Sequence, residues 1–388
     1  MKSAAVIGGS SGIGLGIAEN LINRGYFVYI IADQKYDLDL LTANDKFQFV
    51  QSDLRYYDET LFSELAENPD IEVLMITAGL GRVADFEYLH NAEIEKLMTI
   101  NAESIIKIVH DFYHRIHSST AFYCGIMGSI AGLISSPSFS VYAASKAAIC
   151  RFIESINAEL AVNGYKNRIL NVSPGSIKGT SFNGGSTMLD SVKDLAEAIV
   201  SRMLIREELY IPDYEEVYKG VLERYHSNPQ AFGISSYQYK KGAGRIINEK
   251  KVCIGYLSGT FDLFHVGHLN LLRRAKQQCD YLIVGVHNSG AWKGKETFIP
   301  FEERKEIVRS CRYVDKVVDS CAEDSDAWNL WHFNKLFVGS DYQGSERFQR
   351  YEEYFKDKGV QIVYFPYTKS TNSTQIRKRI VDSEKSGF

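Results

Sequence analysis

Two junctions between an apolar strand and a helix constrain the fold more than any other feature of this chain. The first spans residues 1–24 and carries a glycine-rich turn, Gly8-Gly-Ser-Ser-Gly-Ile-Gly14. The second begins at Val252 and carries two histidines in the sequence His265-Val-Gly-His268. The first turn of a helix presents unpaired N–H donors and the positive end of the helix dipole, so each junction is a candidate anion-binding site. Strands and helices alternate through both halves, which predicts parallel sheets covered by helices.

The second junction combines its histidine pair with a series of matching blocks downstream. Imidazole groups at a helix N-terminus can stabilise the negative charge that grows on phosphate oxygens during nucleotidyl transfer. A lone His-x-Gly-His would be weak evidence in a chain with nine histidines. The further blocks are 271–285, Lys293 and Lys295, 301–305, 312–317, 338–342 and 368–374. Together these blocks resemble the glycerol-3-phosphate, ethanolamine-phosphate and choline-phosphate cytidylyltransferase family.

This resemblance implies that the C-terminal third binds CTP together with Mg²⁺, which is held through the triphosphate and not by protein side chains. It implies catalytic roles for the histidine pair and for Lys293 and Lys295. Tyr367 stands where the family has an arginine, which leaves the acceptor and some triphosphate contacts open. Lys369 could supply the missing charge, although a lysine is a point charge and not a bidentate fork. The residues implied for CTP or substrate binding are Gly259, Thr260, Phe261, Asp262, Arg304, Arg312, Asp341, Tyr342, Lys369, Ser373 and Thr374.

The first junction leads into an ordered series of polar residues. Ser129 ends the predicted fifth strand, and Tyr142 and Lys146 lie on one face of the next helix. Asn101 falls in the long helix predicted after the fourth strand. Reduction of a ketone needs a hydride on carbon and a proton on oxygen. A tyrosine can donate that proton near neutral pH if a cation such as Lys146 lowers its ordinary pKa of about 10.

The glycine spacing, these polar residues and a Pro174-Gly175 loop together resemble the short-chain dehydrogenase/reductase family. The resemblance implies that Tyr142 donates the proton, that Ser129 holds the carbonyl oxygen and that Asn101 holds a water. It also implies that Lys146 binds the nicotinamide ribose. The residues implied for cofactor binding are Gly8, Ser10, Ser11, Gly12, Ile13, Gly14, Asp33, Asp53, Leu54, Ala78, Gly79, Pro174, Gly175 and Ile177.

The choice between the two nicotinamide cofactors depends on the residues after the second strand. A carboxylate at Asp33 favours a free ribose diol and repels a 2′-phosphate. Ser11 occupies a turn position that is often basic in enzymes of this kind that prefer the phosphorylated cofactor. Lys35 lies close enough in sequence to reverse the preference, so we expect NAD(P)H with a preference for NADH. Arg82 and Lys178 follow the fourth and sixth strands and are candidate contacts for a substrate phosphate.

Composition narrows the remaining classes. The chain has 388 residues, 45% of them hydrophobic and 24% charged, which is ordinary for a globular protein of two or three domains. Its net charge of −4 gives no general attraction to nucleic acid or to an anionic membrane. No apolar run reaches membrane-spanning length and no signal peptide precedes the first strand, so we expect a cytoplasmic location. The six cysteines show no metal-type spacing and are expected to be reduced.

The predicted fold class is α/β, with two doubly wound parallel-sheet (Rossmann-like) domains in tandem. Residues 1–236 are the predicted NAD(P)-binding domain and residues 251–388 the predicted nucleotidyltransferase domain. Residues 237–250, which are basic and rich in small residues, are the predicted linker. Both families usually associate, so a homodimer or homotetramer is expected.

The pairing of the two resemblances implies a bifunctional CDP-polyol synthase. One half would reduce a keto-sugar phosphate, with a pentulose 5-phosphate favoured, and the other would transfer CMP from CTP to the polyol phosphate. Candidate products are CDP-ribitol, CDP-arabinitol and CDP-glycerol, as precursors of teichoic-acid-like or capsular polymers. Two alternatives stay open: a CDP-glycerol-forming transferase fused to a reductase of an unrelated or CDP-linked ketone, and a chain in which one half is a non-catalytic scaffold.

Overall fold

The chain builds two separate parallel sheets, one of seven strands and one of five. They belong to two units, Met1–Glu249 and Lys250–Phe388. The computed structural model describes residues 2–41, 45–177, 180, 187–248, 252–289, 297–366 and 376. Across those residues, no helix combines the length and the apolar character that crossing a membrane requires.

The sheet of the first unit is buried on both faces. Its strands are β1 (Ser3–Ile7), β2 (Phe27–Ala32), β3 (Phe47–Gln51), β4 (Ile71–Ile76), β5 (Tyr123–Met127), β6 (Ile169–Val172) and β7 (Leu209–Tyr210). They stand in the order β3-β2-β1-β4-β5-β6-β7, and every neighbouring pair is parallel. All five residues of β1 are buried, as expected for a parallel strand that is covered on both sides.

Helices cover both faces of this sheet. They are α1 (Gly12–Asn23), α2 (Glu59–Glu67), α3 (Asn91–Met98), α4 (Ser104–Asp111), α5 (Tyr113–Ile116), α6 (Ser140–Val162), α7 (Leu189–Leu204), α8 (Lys219–Ser227) and α9 (Pro229–Gly242). One core layer includes residues of α1 and α7, and the other includes residues of α4 and α6. The strand order reverses between β1 and β4, and ligands of open α/β sheets bind at the carboxyl ends of such a pair.

The second unit also combines a parallel sheet with helices, but its sheet has five strands. Its strands are β8 (Ile254–Gly259), β9 (Tyr281–Val286), β10 (Lys316–Asp319), β11 (Lys335–Gly339) and β12 (Gln361–Phe365), in the parallel order β10-β9-β8-β11-β12. Its helices are α10 (Val266–Lys276), α11 (Phe301–Arg309), α12 (Asp324–Trp331) and α13 (Glu346–Phe355). The order reverses between β8 and β11, so the expected ligand crevice lies at the carboxyl end of β8.

The predicted fold class is confirmed, since both sheets are parallel and each is combined with helices that follow its strands. The predicted linker, residues 237–250, begins too early. Helix α9 continues to Gly242, and Gly244, with a φ of 62°, lies in the left-handed conformation common just after a helix. Ile247 N then donates to Val83 O at 2.9 Å, which keeps this stretch on the first unit. The small residues there end a helix, and this is why their composition resembled that of a linker.

Candidate active sites

Close backbone contacts shape the glycine turn after β1. Gly8 and Gly12 have φ angles of 84° and 54°, in the region that favours glycine. A Cβ atom on Gly14 would overlap the carbonyl oxygen of Gly8 and the side chain of Thr77. Thr77 Oγ1 donates to the carbonyl oxygens of Ile7 and Gly8, at 3.0 and 3.1 Å. The N-terminus of α1 is thereby held against the ends of β1 and β4, a geometry that fits a dinucleotide pyrophosphate.

Replacement of Gly14 by alanine is expected to weaken NAD(P)H binding about tenfold or more. The added methyl group must push α1 away from β1, and overpacking costs about 1–3 kcal/mol, where about 1.4 kcal/mol is tenfold in affinity. Titration of nicotinamide fluorescence measures the effect. Gly220→Ala is the control, because only the flexible end of Arg224 lies near that position. An unchanged Kd would argue that this turn does not bind the cofactor.

The first N–H group of α1 has a partner from a distant part of the chain. Gly12 N donates to Thr187 Oγ1 at 2.8 Å, and Thr187 Oγ1 donates to Asp37 Oδ2 at 2.6 Å. Neither Thr187 nor Asp37 stands in a motif, so sequence reasoning had no signal for them. The other predicted residues of this region, Ser10, Ser11, Ile13 and Ala78, lie in the turn, at the start of α1 and directly after β4.

Asp33 lies exposed directly after β2, where its carboxylate accepts from the Tyr36 hydroxyl at 3.2 Å. Lys35, which could favour a 2′-phosphate, lies over the ring of Phe49 with its Nζ 5.4 Å from the ring centroid. Both charged groups at the end of β2 are exposed, and the predicted contact of Asp33 with a cofactor ribose stays a prediction.

Asp53 and Leu54 follow β3, as predicted. Asp53 Oδ2 accepts from Arg55 Nη2 at 2.6 Å and from Arg55 Nε at 2.9 Å. Leu54 is buried, and its carbonyl oxygen accepts from Ser104 Oγ at 2.7 Å. The Asp53 carboxylate thus already accepts hydrogen bonds from Arg55.

Tyr142 lies on α6 beside Ser129, which follows β5. The Tyr142 side chain is buried, and its ring stacks on Phe139 with centroids 4.1 Å apart. Burial raises the pKa of Tyr142 to about 12, and a hydrogen bond with Ser129 opposes that shift. Ser129 Oγ accepts from Ala131 N at 3.1 Å, which fixes the hydroxyl beside the tyrosine. The two hydroxyl groups that the sequence predicted to act together are therefore adjacent.

Lys146 is almost fully buried on the same helix, one turn after Tyr142. Its Nζ donates to Met127 O at 2.7 Å and lies 5.9 Å from the centroid of the Tyr142 ring. Burial lowers the pKa of Lys146 to about 8, because a desolvated ammonium loses its proton more easily. A charge so close to the phenol would favour its ionised form, as the predicted chemistry requires.

Asn101 lies in a π-helical turn, Thr99–Glu103, which joins α3 to α4 without a break in the predicted long helix. Its side chain is fully buried, donates to Leu80 O at 2.8 Å and accepts from Leu80 N at 2.9 Å. π-helical turns recur at functional sites. A Cβ atom on Gly79 would lie 3.3 Å from both Asn101 Oδ1 and Lys146 Nζ, so these two polar groups converge beside Gly79.

The pKa of Lys146 predicts a fall in reductase activity at alkaline pH. The ammonium is charged below about pH 8 and loses its proton as the pH rises through that value. We therefore expect kcat/KM for NAD(P)H, which reports the free enzyme, to decrease above about pH 8 with a slope of one proton. A profile that stays flat from pH 7 to pH 10 would contradict a catalytic role for this charge.

The loop after β6 borders the same site. Pro174 O accepts from Ile130 N at 3.0 Å and from Ser129 Oγ at 3.5 Å. A Cβ atom on Gly175 would overlap the hydroxyl group of Tyr218, so glycine is required where this ring packs. Tyr218 ends a π-helical turn, and no motif in the sequence points to it.

Three further predicted contacts follow β4 and β6. Arg82 Nη1 donates to both carboxylate oxygens of Glu93, at 2.9 and 3.0 Å, so its charge is already paired. This pairing weighs against the predicted contact of Arg82 with a substrate phosphate. Ile177 O accepts from Thr180 Oγ1 at 3.2 Å, and Lys178 lies outside the described residues.

In the second unit, His265 is the N-cap of α10 and His268 is its third residue. His265 Nδ1 accepts from Gly267 N at 3.0 Å, and His268 Nδ1 accepts from His265 N at 3.4 Å. The rings stack with centroids 4.0 Å apart. A nitrogen that accepts a hydrogen bond carries no proton, so both neutral rings carry theirs on Nε2. An Nε2–H group at a helix N-terminus is a donor of the kind that phosphate oxygens accept.

The loop between β8 and α10 is strained. Phe261 and Leu263 have φ angles of 53° and 50°, in the left-handed region that such residues rarely adopt. Strained backbone of this kind costs about 1–3 kcal/mol and clusters at ligand-binding sites. The Phe261 ring is buried with its centroid 5.3 Å from that of His268, and Gly259 lies against its edge. The strain thus places an aromatic ring beside the histidine pair.

Asp262, in this loop, is buried and bonded to backbone. Its carboxylate accepts from Phe298 N and Ile299 N at distances of 3.0 to 3.2 Å. The side chain therefore ties the loop to the segment before α11. The predicted contact of Asp262 with CTP stays a prediction beside this role in holding the loop.

Arg304, on α11, is fully buried, although it was predicted to contact a ligand. Its guanidinium donates to backbone carbonyls of two loops, one between β8 and α10 and one between β9 and α11, at distances of 2.5 to 2.9 Å. The acceptors are the carbonyl oxygens of Thr260, His287, Asn288 and Ile299. Arg304 thus positions the loops at the carboxyl ends of β8 and β9, and its predicted contact with a ligand stays a prediction.

Replacement of Arg304 by methionine is expected to lower the free energy of unfolding of the second unit by about 3 kcal/mol, because the carbonyls lose a buried charged donor. All three tryptophans, at positions 292, 328 and 331, belong to this unit, so tryptophan fluorescence during urea titration reports its unfolding. Arg309→Met, at an exposed position of the same helix, is the control. Weaker CTP binding with an unchanged free energy of unfolding would show that Arg304 contacts the ligand directly.

Three further predicted residues of this site follow α11 and β11. Arg312 is exposed with its guanidinium carbon 5.5 Å from the ring centroid of Tyr313. Asp341 folds back against Gly339, and the Tyr342 ring lies 5.7 Å from that of Phe348. Residues outside the described part of the chain are Lys293, Lys295, Tyr367, Lys369, Ser373 and Thr374.

No group of three or more His, Cys, Asp or Glu side chains among the described residues could hold a metal ion. The donors of the second site, imidazole and backbone N–H groups, suit phosphate oxygens rather than a cation. A Mg²⁺ ion held by the oxygens of CTP would fit this set of donors.

Two nucleotide-binding α/β units, one with a tyrosine–lysine pair and one with a histidine pair, define a chain with two enzyme-type sites. A model of the short chain dehydrogenase family matches residues 2–188, and a cytidylyltransferase-like model matches residues 256–379. The chain is 36% identical over 126 residues to the glycerol-3-phosphate cytidylyltransferase of Bacillus subtilis (strain 168), a stretch that covers 31% of this chain and 92% of that protein. The chain therefore belongs to the cytidylyltransferase-like family and carries a unit of short-chain dehydrogenase type before it. Both resemblances drawn from the sequence are confirmed.

Other relatives match the first unit. The chain is 25% identical over 250 residues to the NADPH-dependent 1-acyldihydroxyacetone phosphate reductase of Saccharomyces cerevisiae, covering 56% of this chain and 82% of that protein. A short chain dehydrogenase/reductase from Burkholderia phymatum, solved in complex with NAD, has a TM-score of 0.52 at 17% identity and covers 59% of this chain and 94% of its own. A short-chain dehydrogenase from Streptomyces avermitilis has a TM-score of 0.51 at 21% identity, and the match covers 63% of this chain and 100% of that chain. The structural likeness establishes the fold of the unit.

Proposed function

We propose that this chain is a bifunctional CDP-polyol synthase. The first unit reduces a keto-sugar phosphate to a polyol phosphate, and the second couples that product to CMP from CTP with release of pyrophosphate. The single observation that supports this proposal most is the fusion itself, since a reductase-type unit and a cytidylyltransferase unit stand in one chain.

In the reductase, the bound dinucleotide supplies the hydride. Ser129 would hold the substrate carbonyl oxygen, and Tyr142 would donate a proton to that oxygen as the carbon is reduced. Lys146 lies close enough to favour the tyrosinate that remains, and its Nζ–H groups would also contact the nicotinamide ribose. Asn101 would position a water that returns a proton to this pair. Burial of Tyr142 and Lys146 strengthens these interactions, because the local dielectric is low.

In the transferase, an oxygen of the polyol phosphate attacks the α-phosphorus of CTP, and the bond to the pyrophosphate oxygen breaks in line. His265 and His268 would donate their Nε2–H groups to oxygens on which negative charge grows. Lys293 and Lys295 would add positive charge there. Mg²⁺ bound to the triphosphate would neutralise the leaving pyrophosphate. Gly259, Thr260 and Phe261 would line the nucleotide site, with Arg304 and Asp262 holding the surrounding loops.

A phosphorylated ketone is the favoured substrate class for the reductase. The yeast relative is named as a reductase of a dihydroxyacetone phosphate derivative, and the transferase relative is named for glycerol 3-phosphate. Each name contains a small phosphorylated alcohol or ketone, which is the class that both units must share if they act in sequence. Within that class we favour a pentulose 5-phosphate over dihydroxyacetone phosphate, and NADH over NADPH because of the exposed carboxylate of Asp33.

The decisive experiment follows nicotinamide absorbance and pyrophosphate release together. The full chain is incubated with ribulose 5-phosphate, xylulose 5-phosphate or dihydroxyacetone phosphate, with NADH or NADPH, with and without CTP. We expect one ketone to be reduced without CTP, and pyrophosphate to appear only when that ketone, the reduced cofactor and CTP are all present.

Two other outcomes favour the alternatives. Pyrophosphate release from glycerol 3-phosphate and CTP, with none of the ketones reduced, would indicate a CDP-glycerol-forming transferase fused to a reductase of another ketone. CTP binding that is absent at millimolar concentration by calorimetry would indicate a second unit that acts as a scaffold. We further propose a homodimer or homotetramer in the cytoplasm that supplies precursors for a cell-surface polymer.

A further inference from the structure

Helix α9 packs beside the candidate reductase site, although it lies beyond residue 188, where the short chain dehydrogenase match ends. It contacts the loop that joins Ser129 to Tyr142. Lys240 Nζ donates to Ser136 Oγ and to Pro137 O in this loop, both at 2.7 Å. A cation from outside the matched segment is thereby fixed on the loop that leads to the predicted proton donor.

An aromatic ring connects Lys240 to the site. Its Nζ lies 5.9 Å from the centroid of Phe139, and the Phe139 ring stacks on Tyr142 with centroids 4.1 Å apart. These two distances place the ammonium at most about 10 Å from the Tyr142 ring. The keto oxygen and the phosphorus of a 2-keto sugar 5-phosphate are separated by six bonds, which span roughly 7 Å when extended at about 3.5 Å per three bonds. A substrate bound at Tyr142 can therefore bring its phosphate to Lys240.

The charge of Lys240 is not balanced by its hydrogen-bond acceptors. Both acceptors found in the described part of the chain, a hydroxyl and a carbonyl oxygen, are uncharged. Burial, and to a smaller extent the nearby charge of Arg245, lower the pKa of Lys240 to about 8. A partly buried cation next to a second cation is unfavourable unless an anion joins them. The neighbouring Lys241 differs, since it is exposed and its charge acts on Asp85.

We propose that Lys240 recognises the phosphate group of the ketone that the reductase acts on, with Arg245 reinforcing the positive charge. This inference rests on the proposed function, because it requires a phosphorylated ketone as the substrate. It assigns the specificity for an anionic substrate to a helix that the family match does not include. Two of the three N–H groups of Lys240 hold the loop, and the third is directed to the phosphate.

The test compares Lys240→Met, Lys240→Arg and the control Lys241→Met in the full chain. The readouts are KM and kcat for the phosphorylated ketone that the wild type reduces, inhibition by inorganic phosphate, and the Kd for NAD(P)H. For Lys240→Met we expect KM to rise about tenfold or more, because a charge-assisted hydrogen bond is lost. Inhibition by inorganic phosphate should weaken by a similar factor, whereas cofactor affinity stays near wild type and the fall in kcat that follows from the lost bonds to the loop is smaller than the rise in KM. Lys240→Arg should retain most of the phosphate affinity, and Lys241→Met should match the wild type.

Each other outcome overturns the inference. If KM rises while inhibition by inorganic phosphate is unchanged, Lys240 acts only by holding the loop. If Lys240→Met lowers kcat and cofactor affinity together, its role is structural. If the wild type reduces a phosphorylated ketone and Lys240→Met has the same KM and phosphate inhibition, this inference is wrong and the proposed function stands. If the wild type reduces no phosphorylated ketone, both are wrong.

Discussion

Replacement of Tyr142 by phenylalanine is expected to lower kcat of ketone reduction by about 10²–10⁴-fold, the range typical of a lost general acid. The substitution removes one oxygen and keeps the ring that stacks on Phe139 at 4.1 Å. The fold of the first unit and its affinity for NAD(P)H should therefore be unchanged. The rate is measured by nicotinamide absorbance, and affinity by titration of cofactor fluorescence.

Two controls make the Tyr142 result specific. Cytidylyl transfer by the same protein should proceed at the wild-type rate, because the second unit has its own sheet and core. Tyr165→Phe, at a tyrosine whose ring lies against His117, should leave reduction unchanged. Ketone turnover that survives in Tyr142→Phe would show that another group donates the proton.

Replacement of His268 by alanine is expected to lower kcat of cytidylyl transfer by about 10²–10³-fold, the cost of removing one donor from a developing negative charge. The substitution removes the Nε2–H donor of His268. It also removes the Nδ1 acceptor that bonds to His265 N at 3.4 Å and the ring that stacks on His265. Pyrophosphate release from polyol phosphate and CTP is the measurement, and the reductase rate of the same protein is the internal control.

A matched pair of variants separates these two functions of His268. An asparagine places its amide near the position of Nδ1, so His268→Asn can keep the bond to the backbone but loses the distal donor. A glutamine reaches toward the position of Nε2, so His268→Gln keeps a donor to phosphate. We expect the glutamine variant to retain more activity than the asparagine variant. The reverse order would mean that the histidine serves mainly to cap α10.

Local patterns in the sequence were sufficient for the framework of both units. The second strand was predicted to end before Asp33, and β2 ends at Ala32; the fifth was predicted to end at Ser129, and β5 ends at Met127. Continuous apolar runs bounded by glycine turns give such strands regardless of what packs on them. The long helix predicted around Asn101 is confirmed, since helical backbone runs without a break from Asn91 to Asp111. The π-helical turn within it was not predictable, because helical periodicity does not show where such a turn is inserted.

The sites were predictable where the function of a residue follows from its neighbours in sequence. The His265 and His268 rings must lie together at the start of α10, because their spacing places them one turn apart. Tyr142 and Lys146 share a face of α6 for the same reason. The loop-holding roles of Arg304 and Asp262 were not predictable, because the sequence does not show that a charged side chain in a motif is buried among backbone groups.

The sequence by itself determined the two parallel-sheet units, the anion-binding junctions at β1 and β8, and the chemistry of the residues beside them. These features depend on local periodicity, on glycine conformations and on side-chain spacing along one helix. Only the tertiary structure decided that Arg304 holds two loops and that Lys240 lies against the loop before Tyr142. Such roles depend on burial and on contacts between residues far apart in the chain, which arise only when helices and strands pack together.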